Sequence, residues 1–107
     1  MVAAVTFNAC DTEPIWIEGF DLSGIWYLGG SYSSDEYLSF YRSHSGTYRY
    51  RVGGEYVYDH FSWRPYDDRT LQIYFSKGTP GPYYLEFGYD YYNEPCIQWG
   101  SKRYYHH

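Results

Sequence analysis

The sequence has few of the residues that build helices. It contains three Ala, five Leu and two Lys in 107 residues, although these three types are among the strongest helix formers. No segment shows a convincing helical period of apolar residues. Aromatic residues, which strands favour, make up 25% of the chain, with 17 Tyr, 6 Phe and 4 Trp. The composition therefore predicts an all-β protein.

Two further absences exclude whole classes of function. The chain has no basic excess, since its net charge is −5. A nucleic-acid partner is not expected, because phosphate binding requires a basic surface. No apolar run approaches the roughly 18 residues of a membrane-spanning helix. A chain of 107 residues fits one domain with a single modest core.

Catalytic motifs are also lacking, and we do not expect an enzyme. No Ser-His-Asp or Cys-His arrangement can be identified by spacing. The carboxylate pairs Asp35-Glu36 and Asp67-Asp68 occupy predicted turns, where solvation is sufficient to explain them. Neither a metal nor another cofactor is expected, because the histidines lie in a turn, on a strand and at the chain end. These histidines are His44, His60, His106 and His107.

Short alternating segments, separated by turn residues, predict the strands. They cover residues 24–28, 37–42, 47–52, 56–64, 70–75, 83–89, 96–99 and 102–105. Gly53-Gly54 is a strong hairpin signal between two of them. Because nearly all connections are short, neighbours in sequence should pair as antiparallel hairpins. We predict an up-and-down meander of seven or eight strands that closes into a small barrel; a β-sandwich is the alternative.

The alternation within residues 47–52 predicts which side chains face the interior. Tyr48, Tyr50 and Val52 share one face, so Arg49 and Arg51 should face solvent. Bulky inward candidates favour a filled core over a ligand cavity. These candidates are Leu38, Phe40, Tyr48, Tyr50, Phe61, Trp63, Leu71, Ile73, Leu85 and Phe87. If a ligand site exists, we expect Tyr48, Tyr50, Phe61 and Trp63 to line it.

Cys10 lies in a segment that resembles the lipobox of bacterial lipoproteins. Apolar residues precede it, Ala9 is small, and Asp11 and Glu13 follow as in the tethers of lipoproteins from Bacteroides-type bacteria. The resemblance implies that Cys10 carries the lipid anchor and that the precursor has a longer signal. The alternatives are a frayed end or a short first strand with a buried cysteine. Spacing leaves a disulfide between Cys10 and Cys96 open.

The stretch Leu22-Ser23-Gly24-Ile25-Trp26 resembles the Gly-x-Trp signature of lipocalins. Gly24 allows a close bend into the barrel, and Trp26 can plug one barrel end. By this resemblance, Arg103 or Lys102 should stack on Trp26. Further segments in order extend the likeness over residues 21–105 to the small lipocalin-like lipoproteins of Bacteroides-type bacteria. They are Leu38-Ser39-Phe40, Ser45-Gly46-Thr47-Tyr48, Phe61-Ser62-Trp63 and Leu71-Gln72-Ile73.

We therefore expect residues 1–20 to be a signal remnant and tether, and residues 21–107 to form the barrel. The leading functional hypothesis is a non-catalytic cell-envelope lipoprotein that binds a small apolar ligand or a partner protein, anchored in the outer membrane. If Met1 is the natural start, the protein should be cytoplasmic. One alternative is a carbohydrate-binding module that uses surface tyrosines. The other is an interaction domain with a filled core.

Overall fold

A computed structural model describes residues 13–31, 34–78 and 81–106, and Cys10 lies outside these ranges. Within them the chain forms ten β-strands and no helix, which confirms the all-β prediction. The strands are β1 (Trp16–Ile17), β2 (Phe20–Asp21), β3 (Gly24–Leu28), β4 (Tyr37–Phe40), β5 (Ser45–Val52), β6 (Glu55–Pro65), β7 (Thr70–Phe75), β8 (Tyr83–Tyr89), β9 (Pro95–Trp99) and β10 (Lys102–His106).

Strands β3 to β10 close into one antiparallel barrel in sequence order, with β10 pairing back onto β3. This confirms the meander and decides for the barrel over the sandwich. Closure hides the sheet edges that an open meander of this size would expose. Since every barrel strand reverses direction, the connections alternate between two ends. The end at which β3 begins is called the closed end, and the end at which it finishes is called the mouth.

A two-stranded hairpin, β1–β2, covers the closed end. Its Ile17 and Phe20 are 8% and 3% exposed, and Leu22 just after it is completely buried in the same core. Glu18 and Gly19 form the turn with positive φ angles of 49° and 80°, as two-residue hairpin loops require. Residues 16–20, which were expected in the tether, form this hairpin, and Ile17 and Phe20 pack into the core.

Trp26 is buried at the closed end, 1% exposed. Its ring stacks on Phe20 at 5.5 Å and meets His106 edge-on at 4.9 Å, and its indole N–H donates to the Leu22 carbonyl at 3.0 Å. At Gly24, φ is +94° and an added Cβ would lie 2.5 Å from the His106 ring. Only glycine fits this approach.

The expected cation over Trp26 is not there. His106 is the β10 residue paired with Trp26, and the register turns Arg103 to the outer face, where its Nε donates to the Gln98 side chain. Lys102 is on the inner face of β10, as are Tyr104 and His106. It lies two inner positions before His106, however, and is therefore at the mouth and not beside Trp26. The prediction named the right strand and missed the register by three residues.

The barrel interior is filled by side chains between the two ends. Five aliphatic residues from four strands are completely buried: Leu38, Leu71, Ile73, Leu85 and Ile97. A barrel of eight strands is just wide enough to be filled in this way. Among the described residues, no helix is long and apolar enough to cross a bilayer.

The alternation along β5 runs as predicted at Tyr48 and Arg49, whereas Val52, which was expected on the inner face, is 58% exposed at the end of the strand. Tyr48 lies inside and packs against Trp99 and Phe75, whereas Arg49 and Arg51 lie outside. Arg49 is not freely solvated, because its guanidinium lies between the rings of Tyr37 and Tyr56, 4.4 and 4.3 Å from their centroids.

Candidate ligand site at the barrel mouth

Four aromatic side chains at the mouth are only partly buried, in contrast to the filled interior below them. They are Tyr48, Phe75, Tyr83 and Trp99. Trp99 lies nearly parallel to Phe75 at 6.1 Å and meets the edges of Tyr48 and Tyr83 at 5.0 and 6.2 Å. We call these four residues the mouth cluster. Trp99 is its centre, since it contacts the other three.

A carboxylate hub lies beside the mouth cluster. Glu36, just before β4, accepts three hydrogen bonds on Oε2: from Lys102 at 2.9 Å, from Tyr48 at 2.9 Å and from Tyr104 at 2.5 Å. Tyr104 is fully buried, whereas the Lys102 side chain remains 45% exposed. All three donors converge on this one oxygen, and the Glu36 side chain is only 16% exposed.

The pKa values of the hub follow from this arrangement. Burial raises the pKa of Glu36, but the hydrogen bonds from Lys102, Tyr104 and Tyr48 outweigh it, so that the pKa lies below its usual value. Burial and the contact with Glu36 raise the pKa of both Tyr48 and Tyr104. At neutral pH the hub thus consists of an ionised carboxylate, an ammonium group and two neutral phenols.

The β5–β6 hairpin extends past the mouth. Tyr50 stacks on Tyr48 at 4.8 Å, and its hydroxyl donates to Asp59 Oδ2 at 3.0 Å. This hydrogen bond raises the pKa of Tyr50. On the other side of the hairpin, Arg51 and Tyr56 both bond to Asp35. The hairpin is thus attached to the loop that carries Glu36, and Tyr50 is held at the rim.

Of the four residues expected to line a ligand site, only two lie at the mouth. Tyr48 and Tyr50 are there, whereas Phe61 and Trp63 are each 3% exposed and belong to the core. Trp63 lies toward the closed end, where His44 stacks on it at 4.3 Å. Its indole N–H donates to the carbonyls of Tyr41 and Ser45. Phe61 and Trp63 face the barrel interior as predicted, but they lie in the half of β6 that is away from the mouth.

Sequence reasoning missed Glu36, Phe75, Tyr83, Trp99 and the role of Lys102. Glu36 was interpreted as a solvated turn carboxylate, because spacing gives no sign of partners 66 and 68 positions away. A signal for the aromatic residues was present: Phe75, Tyr83 and Trp99 are the mouth-side terminal residues of their strands. In an up-and-down barrel, inward residues at such ends surround one opening.

Cys96 and His60 lie away from the hub. Cys96 is a free, buried cysteine, and burial raises the pKa of its thiol. His60 contacts the Thr47 hydroxyl at 3.3 Å on the outer wall. Within the three described ranges, no three His, Cys, Asp or Glu side chains are grouped as a metal site.

Comparison with protein-family models, with curated proteins and with solved structures finds no match for this chain.

Proposed function

We propose that this chain is a non-catalytic binding domain that takes a small, largely apolar ligand at the barrel mouth. The observation that carries the proposal is the mouth cluster, in which four large rings remain partly exposed above a completely buried aliphatic core. Exposed apolar surface that is grouped around an opening marks a binding site more often than scattered residues do.

The geometry of the rings favours a flat ligand. Tyr48 and Tyr50 lie at 27° to each other, and Phe75 and Trp99 lie at 24°. The outer face of such a near-parallel pair is a surface on which a planar or cyclic apolar molecule can stack. Since the interior is filled, the ligand would rest in the mouth and not within the barrel. The Lys102 side chain, which is 45% exposed, would contact its polar edge.

The carbohydrate alternative receives less support from the surface tyrosines. A platform for sugar rings needs aromatic faces that lie flat and side by side. The exposed pairs are instead nearly perpendicular: Tyr66–Tyr84 at 67° and Tyr91–Tyr92 at 85°. A domain that serves only as an interaction module is the remaining alternative, and it predicts that no small molecule binds at the mouth.

We further propose a location in the cell envelope, with Cys10 as the lipid attachment site. The support is the lipobox-like sequence before Cys10 and the acidic residues after it. Cys10 precedes the first described residue by only three positions, so a lipid on its sulfur would hold the barrel close to the membrane surface.

The test is binding of the neutral lipophilic dye N-phenyl-1-naphthylamine, followed by dye fluorescence. We expect Trp99→Leu to weaken binding about tenfold, since a large part of the ring surface is lost. Tyr50→Ala should weaken it less. Trp16→Leu is the matched control, because Trp16 is an exposed Trp at the opposite end, and it should leave the affinity unchanged.

Thermal melts of each variant show whether the fold is retained. If the dye does not bind, or if Trp99→Leu and Trp16→Leu bind it equally well, the mouth is not the site. Binding of a protein partner that is lost in Trp99→Leu, without dye binding, would favour the interaction domain.

A further inference from the structure

The two ends of the barrel differ in the aromatic residues of their connections. At the mouth, the connections β3–β4, β5–β6, β7–β8 and β9–β10 contain Gly, Ser, Pro and charged residues but no aromatic residue among those that the structure describes. Tyr32 belongs to the first of these connections and lies outside the described ranges. At the closed end, the hairpin and every connection carry at least one exposed aromatic ring.

Six aromatic side chains form this group, which we call the closed-end aromatics. They are Trp16 (65% exposed), Tyr41 (47%), Tyr66 (58%), Tyr89 (58%), Tyr91 (92%) and Tyr92 (80%). Single exposed aromatic residues need no explanation, but six at one end of a small domain, against none in the described connections of the other end, is a distribution that indicates a contact surface.

The most exposed pair is held in place by its turn. Asp90 Oδ1 accepts hydrogen bonds from the backbone N–H groups of Tyr92 at 2.8 Å and Glu94 at 2.9 Å. Asn93 completes the turn with a φ of +64°, and its N–H donates to the Asp90 carbonyl at 2.9 Å. The turn is thus a defined structure that presents Tyr91 and Tyr92 outward, although neither ring is used in the core.

Trp16 and Tyr89 add apolar depth to this end. They line a cleft of about 270 Å³ together with Phe20 and Trp26, and Asp21 and His106 supply its polar part. Phe20 connects the buried core to the exposed surface, since it stacks on Trp26 and meets Tyr89 edge-on at 5.8 Å. An acyl chain segment or a headgroup methyl group could enter this cleft from the surface.

The chain arrives at the same end. Glu13, the first described residue, pairs with Arg42 of the β4–β5 connection, and twelve residues precede it in the sequence. The described part of the chain therefore begins beside the closed-end aromatics.

We propose that the closed end is a membrane-contact surface, at which the closed-end aromatics insert into the headgroup region of a lipid bilayer. Trp and Tyr suit this region because each combines an apolar ring with a polar N–H or O–H group. The cell-envelope location that is part of the proposed function supplies only the biological setting of this contact. The surface itself is present in the chain without a lipid on Cys10.

The charges of the closed end specify the type of bilayer. Acidic residues outnumber basic ones there: Glu13, Glu18, Asp67, Asp68, Asp90 and Glu94 against Arg42 and Arg69. An anionic lipid surface would repel this end, so contact must come from the rings and requires a zwitterionic surface. A polysaccharide is the less suitable occupant, because Tyr91 and Tyr92 meet at 85° and expose ring edges where a flat face would be needed.

The experiment uses the full, unlipidated chain and vesicles of phosphatidylcholine, with sedimentation as the measure of binding. We expect the wild-type chain to bind, and the double variant Tyr91→Ser/Tyr92→Ser to bind about tenfold more weakly, as the loss of two partly inserted rings implies. The matched control is Tyr56→Ser/Tyr58→Ser, which removes two exposed rings from the hairpin at the mouth and should bind like the wild type. Mixing phosphatidylglycerol into the vesicles should weaken binding.

Three results would overturn the proposal: no binding of the wild-type chain, equal losses in the two double variants, or stronger binding to phosphatidylglycerol-containing vesicles. Retention on an insoluble polysaccharide that Tyr91→Ser/Tyr92→Ser abolishes would assign the same surface to a carbohydrate. The dye experiment measures the opposite end of the barrel, so failure at one end does not affect the interpretation of the other.

Discussion

At the residue scale, Trp26 is the side chain on which the closed end depends most. It is buried, its N–H is satisfied by Leu22, and Phe20 and His106 cover its ring. Truncation would leave a large cavity between the hairpin and the barrel. We expect Trp26→Ala to lower the free energy of unfolding by about 3–5 kcal/mol, a large share of the 5–15 kcal/mol that is usual for a domain.

Urea denaturation measures this loss, and Trp16→Ala is the control. Trp16 is 65% exposed, so its replacement should change stability by no more than about 0.5 kcal/mol. A loss of that small size for Trp26→Ala would mean that the ring does not plug the barrel end.

Glu36 is the residue that should govern the response to acid at the mouth. Its pKa is lower in the folded chain than in the unfolded one. The carboxylate therefore contributes stability above the unfolded pKa, about 4.3, and this contribution is lost as the pH falls through the folded pKa. Below about pH 4.3, the stability of the wild type should fall more steeply than that of Glu36→Gln.

Denaturant midpoints measured between acidic and neutral pH test this slope. Glu94→Gln is a suitable control, because Glu94 is an exposed carboxylate at the other end. If Glu36→Gln and the wild type lose stability in parallel on acidification, the three hydrogen bonds to Oε2 do not favour the ionised form.

Single residues also show where sequence reasoning ends. The burial of Trp26 follows from its size and its position at the start of a strand. Its neighbour does not, because a register difference of three residues decides between Arg103 and His106, and no local pattern encodes that register. The carboxylate hub is even less predictable from sequence, since it joins Glu36 to Tyr104 across 68 positions.

At the element scale, period-2 alternation was sufficient to assign side chains to the inner or the outer face where one face of a strand is buried. It assigned Tyr48 inward and Arg49 outward, and it located the hairpin at Gly53-Gly54, whose φ angles are 57° and 86°. The hairpin β1–β2 escaped notice because its strands have two residues each and its Glu18-Gly19 turn lacks the usual Asn or Asp. Only contact with the barrel makes so short a hairpin stable.

At the scale of the whole molecule, the closed barrel could be predicted, but which of its two ends is covered could not. Eight alternating segments with short connections leave few economical topologies. Which opening is covered depends on where residues 13–23 fold back, and this depends on Ile17, Phe20 and Leu22 finding apolar surface. Once the hairpin covers one end, the other becomes the mouth, and the closed-end aromatics lie at the end where the described chain begins with Glu13.

This difference between the two barrel ends gives the lipid anchor a testable consequence for the orientation of the whole chain. If Cys10 is lipidated, the anchored molecule presents its closed end to the membrane and its mouth away from it. We expect the protein, expressed in its native host from its native gene, to incorporate labelled palmitate and to fractionate with membranes. Cys10→Ala should abolish the label, whereas Cys96→Ala should retain it, because the Cys96 thiol is buried in the outer wall of the barrel. Trp99 in the labelled protein should then stay accessible to an aqueous quencher such as iodide after binding to vesicles, while Trp16 should become protected. The difference in iodide quenching between the wild type and Trp99→Phe or Trp16→Phe reports each residue and leaves the buried Trp26 and Trp63 in place. Unlabelled protein in the cytosolic fraction, or a label that survives Cys10→Ala, would contradict the anchor, and a disulfide between Cys10 and Cys96 would do the same because a lipidated sulfur cannot pair.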